Sequence, residues 1–234
     1  MSWRDRPLGG LDLETTGVDP TEARVVTACV VRTNTPDRWQ RDWLINPGVE
    51  IPDAAAAVHG ITTEHARNHG QEPAVALAEI RQAIHELWAD GAPLIGHNIV
   101  YDLTVLDHDL RRHGLPGLTI DGPVIDTLVV DKAIDKFRRG SRQLQAVAEH
   151  YQVRLDGAHT ASGDVMAACR VAWVLAGRVT RSGQRLGDLP LDDLHALQVD
   201  WYAEQRRSFA DYKAKRGEPV DDVSTDWPIR QAAA

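Results

Sequence analysis

Apolar positions early in the chain fall in short, β-branched runs. Residues 8–13 lie between Pro7 and Gly17, are interrupted by Asp12 and are followed by Glu14, which predicts a strand. Residues 25–31, from Val25 through Cys29 to Val31, are almost unbroken in apolar character and predict a central strand buried on both faces. Residues 39–45 alternate imperfectly and stop at Asn46, Pro47 and Gly48, a turn signal. Three strands in succession with short connections predict an antiparallel meander.

The period then changes. Leu77, Ile80, Ile84, Leu87 and Trp88 share one helical face within residues 72–88, and Gly91 closes the segment, so a helix is expected there. A short buried strand follows at 92–96, then a helix carrying Leu103, Leu106 and Leu110, another strand at Val124 and Ile125, and helices near 126–133, 141–151 and 160–176. Strands first and strand–helix alternation afterwards predict a mixed α/β sheet of about five strands covered by helices. Residues 1–180 form the expected main domain. Residues 181–234 are expected as a linker, a helix starting at Pro190 with Leu194, Leu197, Trp201, Ser208 and Tyr212 at helical spacings, and an extended tail from Gly217 that Trp227 could anchor. The helical stripe is compatible with a polymerase tether, a homodimer helix or cover for the chain's own core.

Composition narrows the class. Of 234 residues, 43% are hydrophobic and 26% charged, and the net charge is −8; this suits a globular domain with a substantial core and argues against a broad electrostatic coat for nucleic acid. No run approaches a membrane span, and the first residues lack the apolar core of a signal peptide, so a cytoplasmic protein is expected. Cys29 and Cys169, both in apolar stretches, cannot organise a disulfide framework or thiolate zinc site.

The chemistry gathers in three acidic segments. Asp12 and Glu14 are two residues apart on the first strand, so both project to one face while Leu11 and Leu13 take the other. Two carboxylates in one patch repel each other and favour an oxygen-seeking divalent cation such as Mg²⁺ or Mn²⁺. Thr15, Thr16 and Gly17 come directly after them, small donors and a flexible residue suited to approaching a phosphate. In the second segment, His97 and Asn98 precede a helix that carries Asp102, with Asn98 a natural N-cap. In the third, His159 precedes a helix whose first turns contain Asp164, with Thr160 or Ser162 as its cap.

In this order, Asp12 and Glu14, then Asp102 four residues after Asn98, then His159 five residues before Asp164, resemble the DEDDh branch of the DnaQ-like 3′→5′ exonucleases. Val58-His59-Gly60-Ile61 is similar to that family's loop between third strand and first helix, and Asp126-Thr127-Leu128 to its D-T-L segment. The resemblance covers about residues 7–178. It implies a ribonuclease H-like fold and two Mg²⁺ or Mn²⁺ ions held by Asp12, Glu14, Asp102 and Asp164, with His159 as general base. By the same resemblance Leu13, Thr15, Thr16, Gly17, His59 and Asn98 contact the substrate, and Lys132, Lys136, Arg138, Arg139 and Arg142 lie beside the site. The implied activity is release of 5′-mononucleotides from the 3′ end of single-stranded or frayed DNA in proofreading or repair, with RNA as an alternative substrate. An inactive module docking on a DNA polymerase is the alternative from another class.

Overall fold

The computed structural model describes residues 2–155, 161–180, 182–220 and 223–230. After a short 3-10 turn come β1 (Leu8–Thr15), β2 (Val25–Thr33), β3 (Trp39–Leu44), α1 (Asp53–His59), α2 (Thr63–His69), α3 (Pro73–Ala89), β4 (Leu94–Gly96), α4 (Ile99–Arg112), β5 (Val124–Asp126), α5 (Thr127–Ile134), α6 (Leu144–His150), α7 (Ala161–Leu175) and α8 (Leu191–Lys215). The strand order is β3-β2-β1-β4-β5. β1, β2 and β3 pair antiparallel, and β4 and β5 continue parallel to β1, which is the mixed sheet the sequence predicts.

Two helices were not expected. The resemblance places residues 58–61 in a loop and the sequence pattern predicts no helix over 53–69, yet these residues form α1 and α2. Each is seven residues long, barely two turns, so an apolar stripe has no room to repeat. Their boundaries are set by local chemistry: Gly60, at φ 78°, ends α1 in the left-handed region, and the Thr62 hydroxyl accepts the N–H of His65 to start α2.

Strand alternation sorts β1 onto two cores. Leu11 and Leu13 pack with Leu77, Ile84, Leu103 and Leu106 from α3 and α4, each such buried side chain contributing about 1.5–3 kcal/mol. Leu8 faces the other layer with Val165, Cys169 and Ala172 of α7. Gly10 lies on that second face, where an added Cβ would come within 2.6 Å of Val165 and 2.8 Å of Cys169. Only glycine lets α7 approach this closely, and the approach brings the start of α7 against the strand end where Asp12 and Glu14 emerge.

The C-terminal helix closes the sheet. The Val124 N–H donates to His195 Nδ1 at 3.1 Å, Gln198 Nε2 donates to the Val124 carbonyl at 2.9 Å, and the Asp126 N–H donates to Gln198 Oε1 at 2.7 Å. Side chains of α8 thus satisfy the open edge of β5 as a sixth strand would. Leu194, Gln198 and Tyr202 are buried, so the first half of the stripe covers the chain's own core. Beyond α8 the chain is irregular, but Trp227 is buried with its ring 4.9 Å from that of His195, and the Arg230 N–H reaches Thr104 Oγ1 at 3.0 Å. Among the described residues, no helix is long and apolar enough to cross a membrane.

Candidate active site

The end of β1, the first turn of α4 and the first turn of α7 meet at one end of the sheet. Asp12, Glu14 and Asp164 each offer a carboxylate oxygen, and these oxygens lie within 4.8 Å of one another. Asp102 joins them from α4: it is buried, and its Oδ1 accepts the N–H of Leu13, the residue between Asp12 and Glu14, at 3.1 Å. The pairing register slips between Glu14 and Thr15, a bulge that redirects the chain just past the acids.

The electrostatics are those of a site awaiting positive charge. Burial, and then the carboxylates of Asp102, Glu14 and Asp164, hold Asp12 well above the usual carboxylate range. Burial, reinforced by Asp164, raises Glu14 to about 7. Asp102 is also raised, chiefly by burial, although the N–H of Leu13 and its own N–H favour its charged form. The charges acting on Asp12 are all carboxylates. Such a cluster of hard oxygen ligands fits a divalent metal and disfavours its own ionisation without one.

The expected substrate contacts gather nearby with differing freedom. Leu13 turns its side chain into the core and gives its N–H to Asp102, so its carbonyl is what it can still offer. Thr15 Oγ1 lies 2.6 Å from the Tyr101 hydroxyl, which also donates to the Gly17 carbonyl. Thr16 Oγ1 accepts the N–H of Arg24 at 2.9 Å. Gly17 is exposed. His59 is the last residue of α1; its Nδ1 accepts the Ile61 N–H at 3.1 Å, and its buried Nε2 faces the Thr15 backbone without a well-formed hydrogen bond. Burial lowers its pKa, opposed by that carbonyl, so a neutral ring is favoured. His159 and its neighbour Thr160 lie outside the described residues.

Asn98 precedes α4 as expected, but its side chain makes no capping bond; its backbone is left-handed, at φ 64°. The conformation is held from elsewhere, since the Asn98 N–H donates to Asp126 Oδ1 at 2.9 Å. That same oxygen accepts the N–H groups of Leu128 and Val129 at the start of α5. Asp126 and Tyr101 are therefore parts of the site that sequence reasoning left without a role, although the D-T-L match had marked Asp126. Of the basic cluster, Arg138 and Arg142 turn inward to Asp131 at 2.9 and 2.6 Å.

An α/β sheet with an acidic cluster at the ends of its strands, suited to a metal, is a hydrolase-like arrangement, and comparison with known proteins defines it further. The RNase_T family, described as Exonuclease, matches residues 10–172, and the chain belongs to that family. A DNA polymerase III subunit epsilon-like protein of Rhodobacter capsulatus is 35% identical over 162 residues, covering 67% of this chain and 22% of the relative. A PolC-type DNA polymerase III of Lacticaseibacillus paracasei is 29% identical over 167 residues, 70% of this chain and 11% of the relative. The chain thus spans less than a quarter of either relative. Among solved structures, Escherichia coli exonuclease I in complex with a dT13 oligonucleotide superposes with a TM-score of 0.60 at 20% identity, over 74% of this chain and 41% of that one. The fold is therefore the DnaQ-like, ribonuclease H-like one, and the domain is a nuclease domain.

Proposed function

We propose that the protein is a 3′→5′ exonuclease of the DEDDh type that uses two Mg²⁺ or Mn²⁺ ions to release 5′-mononucleotides from DNA. The observation that carries this reading is the convergence of Asp12, Glu14 and Asp164, with Asp102 pinned beside them through the Leu13 N–H. These four residues would hold the ions, which would supply activation of the attacking water and stabilisation of the leaving 3′ oxygen. The protein's own contribution is positional. The β1 hydrogen bond to Asp102 fixes two ligand-bearing elements relative to each other, and the tight contact at Gly10 fixes the third. Asp12 and Glu14 give up any proton they carry as positive charge arrives, so the site charges itself only when loaded. His159 would take the proton of the attacking water. Tyr101 and Thr15 would shape the pocket for the terminal nucleotide, and His59, kept neutral, would approach its sugar.

DNA is favoured over RNA because the relatives are DNA polymerase III proteins and the structural neighbour is complexed with dT13. The same relatives support a role in proofreading or repair with a DNA polymerase as partner, and we place that activity in the cytoplasm. Digestion of end-labelled DNA and RNA oligonucleotides, single-stranded, paired and 3′-mismatched, tests this. The expected result is a ladder of shortening from the 3′ end, dependent on Mg²⁺ or Mn²⁺ and fastest on unpaired DNA. Shortening from the 5′ end, or undiminished cleavage in excess chelator, would overturn it; faster digestion of RNA would reassign the substrate.

A further inference from the structure

A second feature lies outside the carboxylate cluster and mostly outside the segment shared with the family. Residues 131–142 and the second half of α8 enclose a groove of about 640 Å³, with Lys132, Lys136 and Arg142 on one wall and Trp201, Phe209 and Tyr212 on the other. Residues 131–142 and 201–216 together hold ten basic side chains against four acidic ones, a local surplus of six in a chain whose net charge is −8. Burial holds the Lys132 ammonium below its usual pKa; Asp126 counters this, while Arg142 and Arg206 add to it. Within the groove Lys136 pairs with Glu204 at 2.9 Å and Arg142 with Asp131 at 2.6 Å, and the surplus of six is what such pairs leave over.

The aromatic rings are placed among these cations and stay accessible. Phe209 is 44% exposed and Tyr212 54% exposed. Arg206 stands 5.3 Å from the Phe209 ring and Arg216 5.4 Å from the Tyr212 ring. Flat rings interspersed with cations along one helix offer what an unpaired strand needs, faces on which bases stack and charges that meet phosphates. A hydrophobic peptide would gain little from the surplus charge. The groove is also joined to the site: the Arg142 carbonyl accepts from His97 Nε2 at 2.8 Å, beside Asn98, and Lys132 lies within the field of Asp126, which holds the Asn98 backbone.

We propose that this groove binds the single strand of nucleic acid upstream of the 3′ end, with bases on Phe209 and Tyr212 and phosphates on the flanking cations, an assignment that rests on the exonuclease reading. The purified protein is tested with 5′-fluorescein-labelled dT12 and dT3. Binding is read by anisotropy in excess chelator, where no metal helps to hold phosphate, and the kcat/KM ratio of dT12 to dT3 is read with Mg²⁺. Phe209→Ala and Tyr212→Ala should each weaken dT12 binding about tenfold and lower the ratio similarly. Lys136 would exchange its Glu204 partner for a phosphate, so Lys136→Gln should reduce the salt dependence of dT12 binding by about one phosphate contact. Circular dichroism and melting temperature confirm that the variants fold. Unchanged dT12 binding in all three variants overturns the proposal, as does a wild-type dimer that Phe209→Ala dissociates, which would make the groove an interface between copies. If nothing is hydrolysed yet binding responds to the variants, the groove stands and the exonuclease reading falls. If hydrolysis runs from the 3′ end while binding ignores the variants, the groove falls and the exonuclease reading stands.

Discussion

Asp12 on β1 and Asp131 on α5 are treated in opposite ways. Asp131 is fully buried, and its carboxylate receives Arg142, Arg138 and the Tyr151 hydroxyl at 2.6, 2.9 and 2.7 Å. Burial alone would raise its pKa, but these partners overcome it and leave Asp131 below the usual range. Asp12 is raised by burial and raised further by three carboxylates. The same side chain is thus a settled structural charge in one place and an unsettled one in the other. A fold that can neutralise a buried aspartate from within, as at Asp131, leaves the cluster around Asp12 to be neutralised from outside.

Removing one acid from each region should have opposite effects. Asp12→Asn should lower hydrolysis by about 10³-fold or more, since charge stabilisation through bound metal supplies several kcal/mol; its metal-free melting temperature should hold or rise, because a repulsion is relieved. Steady-state rates and thermal melts check both. Asp131→Asn should do the reverse, costing about 3–5 kcal/mol of stability by leaving two guanidinium groups without their partner, read as a fall of about 10 °C in melting temperature. Next in size, Mn²⁺ at about 100 times its dissociation constant should stabilise the wild type by roughly 2.7 kcal/mol and leave Asp12→Asn nearly unmoved.

The smallest effect is a slope with pH. Glu14 in the folded protein titrates near 7, above the ordinary 4.5, so folding binds a proton between those values. Its contribution to stability is fully present below about pH 4.5 and is lost as the pH rises through 7, about 1–3 kcal/mol after allowance for partial solvent exposure. Asp131, lowered in the folded state, has the opposite sign: its contribution is present above the ordinary aspartate range and is lost in acid. Metal-free melts across pH 4.5–8 should therefore decline with pH in the wild type and flatten in Glu14→Gln.

What the sequence disclosed follows from how far apart the cooperating residues lie. The pairing of Asp12 and Glu14 on one face needs only the period of a strand, and the sheet order follows from runs such as residues 25–31 and the later alternation. Asp126 and Asn98 are 28 residues apart, Tyr101 and Thr15 are 86 apart, and Gln198 and Asp126 are 72 apart; no local pattern announces such contacts. α1 and α2 escaped because a seven-residue helix shows no full period. The inward turn of Arg138 and Arg142 was hidden because a run of basic residues reads as a solvated loop until a buried acid such as Asp131 is known to face it.

On this reading the carboxylate cluster holds protons without metal and exchanges them for a divalent ion. Calorimetric titration of Mn²⁺ into the metal-free protein at pH 7, repeated in two buffers of different ionisation enthalpy, measures that exchange directly. Binding should be accompanied by release of about one proton or more, lost in Asp12→Asn and kept in Phe209→Ala. Binding without proton release, or binding indifferent to Asp12→Asn, would contradict that reading.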